Sequence, residues 1–560
     1  MKITLLAVLF GVIFFAVAIY NNQKNKKRLL NQLSRQFGEK PEGDNDKFDM
    51  EFLKKYYNVR SENEESRDCI DEITWNDLDM DSVFKRINYT ETTLGEAYLY
   101  YKLRNEKYDK DDWEKIEKLI KIFMENEELR NNVKFKMMKV GKFNNSRLIN
   151  FIYNPSFIAI KGYFKYPLLA VCLLASIVLS FVNVKIGMPL TILFLVSNAL
   201  LYNCEKLSLE NNYDVMTYLI KNLDMYARLS DIKDSSFNEY RIRIKDTLKN
   251  VKEINKIRMY SYAFSKGGNN LVNDLDFLAD YLKMFTMTDV ITYQRISKIL
   301  EKNKQYLYDI YDFIAKIDFA LCIAYYRASV DQYVLPEFTD DLKIEIDDIY
   351  HPLIDDPVKN SIVIDKNIIF TGSNASGKST FIKAIALNCI LAQSINTALC
   401  SKYKCRFSKV MTSMAVRDNI LSGESYFVAE LKSLKRLIDS LNGPVPVLAF
   451  IDEILKGTNT IERIAASASI LKYSAGCNDR VFVATHDIEL TGIADERYDN
   501  YHFSETVSDE GVTFDYKLKN GSAKTRNALK LLKTMNFDKK ITEEADKLCK
   551  YFMENGKWTN

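Results

Sequence analysis

The stretch Ile368-Ile-Phe-Thr-Gly-Ser-Asn-Ala-Ser-Gly-Lys-Ser-Thr-Phe381 restricts what this chain can be more than any other. Gly372 is followed by four residues and then by Gly377-Lys378-Ser379, the G-x-x-x-x-G-K-[ST] spacing of a phosphate loop. The apolar run at 368–370 reads as a buried parallel strand. Residues 381–391 read as a helix, with apolar positions three and four apart. Strand, glycine loop and helix start, in that order, aim backbone N–H groups and the positive end of the helix dipole at an anion. The cradle is then Gly372, Ser373, Asn374, Ala375, Ser376, Gly377 and Thr380. Lys378 is placed to reach the β and γ phosphates of ATP, and the Ser379 hydroxyl to ligate Mg²⁺.

Two further strands end in polar groups. Val447-Leu-Ala-Phe-Ile-Asp452-Glu453 closes an apolar run with two carboxylates. After a phosphate loop, the first is the residue to hold the Mg²⁺ shell; the second, Glu453, is the one to orient and polarise an attacking water. Val481-Phe-Val-Ala-Thr-His486 presents His486 either to the γ phosphate or lytic water, or as a structural histidine. Leu421-Ser-Gly-Glu-Ser425 precedes a helix. Ser425 either caps a phosphate from a second subunit or serves as an ordinary N-cap.

From about residue 344 the pattern alternates between strand and helix, with strands at 362–364, 368–370, 447–451 and 481–484. This implies a doubly wound parallel sheet with its ligand at the C-terminal strand ends. The rest of the 560 residues reads differently. Residues 3–20 are apolar and uncharged, and Lys24, Lys26, Lys27 and Arg28 follow. That arrangement suits a retained membrane anchor, with a cytoplasmic C-terminal side, better than a cleaved signal peptide. Residues 166–184 and 188–204 are two more apolar runs separated by Lys185-Ile-Gly187, and they read as a membrane hairpin.

The expected organisation is an anchor at 1–21, a linker and polar helical segment at 22–74 and helical core at 75–165. The hairpin at 166–204, core and lever helices at 205–343, an α/β nucleotide domain at 344–522 and a helical tail at 523–560 follow. The last lever helix should run over about 307–327. Seventy-eight Lys and Arg against 75 Asp and Glu is a near balance, so composition points neither to nor away from nucleic acid. Nine cysteines without a C-x-x-C pair fit reduced thiols.

The motifs together resemble the MutS family of mismatch-repair ATPases, a branch of the ABC-type ATPases. The resemblance runs through His351-Pro352, the phosphate loop, Ser422-Gly-Glu-Ser-Tyr-Phe-Val-Ala-Glu430, Ile451-Asp-Glu-Ile-Leu-Lys-Gly-Thr458, Ala484-Thr-His486 and Asn500-Tyr-His502. Asn88-Tyr-Thr-Glu-Thr-Thr-Leu-Gly95 and Ile317-Asp-Phe-Ala-Leu-Cys-Ile-Ala324 resemble the family's core and lever helices more weakly. The resemblance implies a P-loop, ABC-type ATPase fold and a homodimer with composite sites. Ser425 then acts on the partner's γ phosphate, His502 lies beside the adenine, Val358 is an apolar wall, and the tail helps dimerise. It also implies DNA as a partner.

This sequence departs from the family in having no counterpart of the mismatch-reading domain with its Phe-x-Glu wedge, and none of the connector domain. Leu455-Lys456 stands where the repair proteins have Gly-Arg. The reading is a multi-pass membrane ATPase of MutS type that clamps DNA by backbone charge with little mismatch preference. Two alternatives stand beside it. A transport ATPase is suggested by Leu421-Ser-Gly423, against which the short spacing from Lys378 to Ser425 and the three spans count. A nucleotide-switched membrane scaffold without DNA is the other.

Overall fold

In the computed structural model, the described residues are 20–41 (less 22), 48–63, 70–105, 110–153 (less 144 and 146), 162–251, 253, 281–373, 376–414, 426–494 (less 457), 496–508, 511–523, 529, 532 and 537–558. The expected anchor up to residue 19, Asn374, Ala375, Ser425 and part of the 523–560 tail lie outside them. The chain divides into two units. One comprises Met1–Glu64, Asn88–Tyr101 and Glu114–Ser329; the other comprises Glu65–Ile87, Lys102–Trp113 and Val330–Asn560.

The first unit is helical. Its helices include α1 (Thr93–Arg104, through Tyr101), α2 (Glu127–Met138), α3 (Lys165–Val182), α4 (Val184–Leu229) and α5 (Lys304–Ala328). The helix Met50–Asn63, in the region expected to hold a polar helical segment after the linker, buries Phe52, Leu53 and Tyr56 and so belongs to the core. α5 extends the expected lever helix by a turn or less at each end. It is buried from Ile317 to Arg327 on every side, as a central helix must be.

Asp318, in the middle of α5, accepts hydrogen bonds from the Thr92 N–H (2.8 Å), the Thr92 hydroxyl (2.6 Å) and the Glu91 N–H (3.1 Å). These satisfy donors at the entry to α1. Gly95 permits the approach, since a Cβ there would stand 2.2 Å from the Asp318 carboxylate. Burial pushes the Asp318 carboxyl up to about 6, against the opposing effect of these hydrogen bonds. The folded chain therefore holds this proton over a pH range where the unfolded chain has lost it. The contribution to stability is fully present at low pH and is lost as pH rises through about 6. Wild type should accordingly gain stability over Asp318→Asn as pH falls from 7 towards 5, by up to about 1.4 kcal/mol per pH unit. Unfolding curves of the two proteins across that range check it.

α3 and α4 form the apolar hairpin. The joint is Asn183 alone, and α4 then continues unbroken for 46 residues, with Pro189 inside it. The expected break at Lys185-Ile-Gly187 is instead the first turn of α4. Gly187 makes this possible: a Cβ there would lie 2.3 Å from the Ser180 nitrogen, so the two backbones touch. Thr191 Oγ1 lies 3.1 Å from the hydroxyls of both Ser176 and Ser180, which pins the pair further along. The outer faces leave Leu168, Val171, Leu174, Phe181, Leu193 and Leu200 exposed.

The second unit is mixed α/β. Its strands are β1 (Glu337–Phe338), β2 (Ile344–Ile349), β3 (Asn360–Ile364), β4 (Asn367–Thr371), β5 (Lys402–Cys405) and β6 (Lys409–Ser413). They continue as β7 (Val447–Asp452), β8 (Arg480–Thr485), β9 (Tyr498–His502), β10 (Glu505–Ser508), β11 (Gly511–Phe514) and β12 (Lys519–Asn520). One sheet has the order β12-β9-β4-β8-β7-β6, with β9 to β6 mutually parallel and β12 antiparallel at the edge. The expected strand at 362–364 is not in it. As β3 it pairs antiparallel with β2 in a second sheet, β1-β5-β2-β3. Its alternating burial, buried at Ile362 and Ile364 and open at Val363, is that of a half-exposed antiparallel strand.

Helices cover both faces of the larger sheet. Ile369, Ala449, Ile451 and Val483 pack with Leu437 of α7 (Tyr426–Ser440) and Leu471 of α8 (Thr460–Ser474). On the other face Phe370 meets Phe381 of α6 (Lys378–Ile395) edge to face at 5.7 Å. The open edge of β6 is closed by a segment from far earlier in the chain. In the helix Glu72–Asp77, Asp77 accepts from the Thr412 hydroxyl (2.8 Å) and the Met414 N–H (2.9 Å), and the Thr74 hydroxyl accepts from the Thr412 N–H (3.2 Å). Residues 65–87 thus belong to the α/β unit, not to the linker and helical core expected there. Such an edge needs a partner for its unpaired backbone groups, and sequence distance hides which segment supplies it. Removing the buried acceptor in Asp77→Ala should cost about 2 kcal/mol, read as faster hydrogen exchange at the Met414 amide.

Candidate functional site: a phosphate-loop cleft

β4 delivers the chain into the loop, and two glycines shape it. Gly372 (φ +145°) sits so close to the next strand connection that a Cβ would meet the Phe503 carbonyl oxygen at 2.6 Å. Gly377 (φ +103°) is the left-handed entry to α6, and a Cβ there would press on the Tyr516 ring at 3.1 Å. Lys378 opens α6 and folds back, donating from Nζ to the carbonyls of Gly372 (2.7 Å) and Ser373 (2.8 Å). Burial lowers its amine to about 8, while Asp452, Glu453 and Glu505 work in the opposite direction.

β7 supplies the carboxylates. Asp452 ends the strand, and Glu453 turns away from it in the left-handed region (φ +63°), as does Leu455 (φ +58°). Two such residues without glycine store strain in the turn. The Glu453 N–H is fixed to the Ala484 carbonyl at 2.9 Å. Its carboxylate lies 3.1 Å from His486 Nε2 and 3.3 Å from Lys456 Nζ. Burial disfavours the charged form, yet the hydrogen bonds and charges of His486 and Lys456 hold Glu453 below the usual carboxylate range. The Lys456 N–H is in turn held by Glu430 of α7 at 3.0 Å.

These groups share one cleft of about 640 Å³, within the range of small-molecule sites. Ser373, Ser376, Gly377, Lys378, Ser379 and Thr380 line it together with Asp452, Glu453, His486 and Val358. Gly372 lies behind, its carbonyl holding Lys378. His502 does not line the cleft. It ends β9, where its Nδ1 sits 2.9 Å from the Gly521 carbonyl. Tyr516, in the left-handed region (φ +51°), lines the cleft instead, and with Ile354 and Val358 makes a patch of exposed apolar side chains there. Sequence reasoning passed over Tyr516 and Glu505, which accepts from the Ser373 hydroxyl at 2.7 Å, and noted Lys456 only as a departure from the family pattern. An aromatic five residues before a glycine carries no motif, so only the fold reveals it.

The residues suit a nucleoside triphosphate with a hard cation. The loop offers a buried Ser376 hydroxyl with no protein hydrogen-bond partner among the described residues, besides Lys378. Ser379 and Asp452 are oxygen donors of the type Mg²⁺ prefers.

Fold and cleft together define a mixed α/β protein with a helical N-terminal part and a C-terminal sheet region. Residues 368–553 match the family model for MutS domain V. The chain is 31% identical over 264 residues to MutS protein homolog 4 of Homo sapiens, covering 44% of this chain and 27% of that one. It is 30% identical over 258 residues to the DNA mismatch repair protein MutS of Fusobacterium nucleatum subsp. nucleatum, covering 44% and 28%. With MutS of Thermotoga maritima it shares 27% identity over 308 residues, 51% of this chain and 38% of the relative. The chain thus carries a MutS domain V at residues 368–553, and it spans about a quarter to two fifths of the length of these relatives.

Proposed function

We propose that this chain binds and hydrolyses ATP with Mg²⁺ in the phosphate-loop cleft. The observation that carries this reading is the meeting of Lys378, Ser379, Asp452, Glu453 and His486, from one helix start and two strand ends, around one cavity. Bound there, Mg²⁺ would neutralise phosphate charge, held by Ser379 and Asp452. Lys378 exchanges its two carbonyl partners for phosphate oxygens. Glu453, kept ionised by His486 and Lys456, orients the attacking water and takes up its proton. Tyr516, Ile354 and Val358 form the wall for the base. Tyr516→Ala should weaken ATP binding about tenfold, the loss of one stacking contact, with little change in turnover at saturation. Titration with a fluorescent ATP analogue, alongside kcat, separates the two effects.

The test of the reading as a whole is ATPase activity of the purified full chain in a non-ionic detergent. Hydrolysis that is equal in wild type and Lys378→Ala overturns it. By the family resemblance the working form is a homodimer in which Ser425 of one chain faces the nucleotide of the other, coupled to DNA. Lacking a wedge, such a protein should bind homoduplex, mismatched and branched DNA alike, and with strong salt dependence. An ATPase rate that no DNA changes at low salt argues for the nucleotide-switched scaffold instead.

The same proposal holds the protein in a membrane with the cleft on the cytoplasmic side. Its support is that α3 and the first part of α4, Lys165–Val182 and Val184–Lys206, are long and apolar enough to cross, and little buried. Lys165 and Glu205 meet at 3.8 Å where the two ends come together, a polar pair at the place an interface requires. Extraction by carbonate at high pH, without detergent, is the outcome that removes this part.

A further inference from the structure

The chain is nearly balanced in charge, with 78 basic and 75 acidic side chains, but one cleft of the helical unit is not. It has a volume of about 510 Å³ and gathers Lys26, Lys136, Lys139, Lys221 and Arg228 around the ring of Phe135. The cations come from three helical segments: residues 23–36, α2 and α4. Arg228 pairs with Asp224 at 2.6 Å. The four lysines have no carboxylate within ion-pair distance among the described residues; Asp231 acts on Lys136 only from further away. Lys139 and Lys26, both exposed, stand over the Phe135 ring at 4.4 and 5.7 Å. Burial lowers the amines of Lys136 and Lys139, and the neighbouring cations Arg228 and Lys26 lower both further. Convergence of five cations from separate elements against one lining carboxylate, Asp224, is eased when an anion occupies the space.

We propose that this cleft is a binding site for a compact anion carrying two or more phosphate groups. It is a bounded concavity of small-ligand size, not a stripe along a surface, which favours a small molecule over a nucleic acid strand. Lys26 follows the expected anchor at 3–20 by six residues, so the phosphate groups of a lipid headgroup share this chemistry, and vesicle binding separates the two sources. Lys221 and Arg228 follow Lys206 by 15 and 22 residues in the unbroken α4, about 22 and 33 Å along the axis at 1.5 Å per residue. The distance of Lys221 and Arg228 from the hairpin favours a soluble oligophosphate, and the site is separate from the phosphate-loop cleft, which lies in the other unit.

The test is calorimetric titration of inorganic tripolyphosphate into the full chain in non-ionic detergent. A Lys378→Ala background silences the nucleotide cleft. One binding event is expected, weakened about tenfold or more by Lys136→Glu with Lys221→Glu, since each reversal replaces an attraction by a repulsion. Lys249→Glu, on an exposed helix elsewhere, is expected to leave it unchanged. Equal binding with and without the double substitution overturns the proposal. So does binding of duplex DNA, or of vesicles containing an acidic phospholipid, that the double substitution abolishes while tripolyphosphate fails to bind. Matching circular dichroism of the two proteins shows that the fold is not what changed. Nothing in this outcome depends on ATP hydrolysis, so failure of the ATPase reading leaves it standing.

Discussion

Glu453→Gln keeps ATP bound and slows its hydrolysis by about 10²- to 10³-fold, the usual loss when a positioned general base is removed. The substitution preserves the length and the hydrogen-bonding reach of the side chain but removes its charge. In the wild-type cleft His486 and Lys456 hold that charge in place. With glutamine they lose an anionic partner, while the groups that bind phosphate, Lys378 and the loop, are untouched. Binding and chemistry should therefore part company: affinity retained, single-turnover hydrolysis collapsed. The measurement is rapid-quench hydrolysis under single-turnover conditions, paired with equilibrium binding. His486→Ala provides the internal comparison. It removes one of the two groups that hold Glu453, so its loss should be smaller than that of Glu453→Gln and should not add to it, because both act on the same water. Comparable single-turnover rates for wild type and Glu453→Gln would leave Glu453 without a chemical role.

The residues that define this chemistry were readable from the sequence because each is local. The loop spacing, the carboxylates at the end of Val447–Asp452 and the histidine after Arg480–Thr485 follow from a strand being apolar up to its last residue. The long helix Lys304–Ala328 was equally plain, since no glycine or proline interrupts it. What could not be read depends on contacts made far along the chain. Asp77 looks like one acid among many in a polar stretch until it is seen to cap the backbone of Thr412 and Met414. Residues 362–364 look like another parallel strand, and only the pairing of Ile362 with Ile346 assigns them to a second sheet. His502 and Tyr516 reverse roles for the same reason. The histidine has the chemistry, but the Gly521 carbonyl holds its ring, and the tyrosine lines the cleft. Gly187 shows the other kind of miss: a charged residue beside a glycine resembles a turn, whereas here the glycine serves the contact between two helices.

Gly372→Ala should weaken ATP binding roughly 10²-fold while leaving the protein folded. Two separate penalties fall on one methyl group. The backbone is at φ +145°, where an L side chain is strained, and the new carbon would lie 2.6 Å from the Phe503 carbonyl oxygen. That oxygen belongs to the main chain just beyond β9, whose register with β4 is fixed from Asn367 to Thr371. The Phe503 N–H is itself bonded to the Thr371 carbonyl at 3.0 Å. The neighbour cannot yield, so the loop must. Its displacement moves the Gly372 and Ser373 carbonyls that hold Lys378, and with them the lysine. A strain of about 3 kcal/mol, relieved only by losing the phosphate-binding shape, corresponds to roughly 10²-fold weaker binding. Gly492→Ala, whose new carbon would meet nothing within 4 Å, is the matched control and should bind ATP as wild type does. Equilibrium titration of the two variants decides the matter. If Gly372→Ala binds ATP as tightly as Gly492→Ala, the loop does not need its observed shape, and the cleft holds its ligand in some other way.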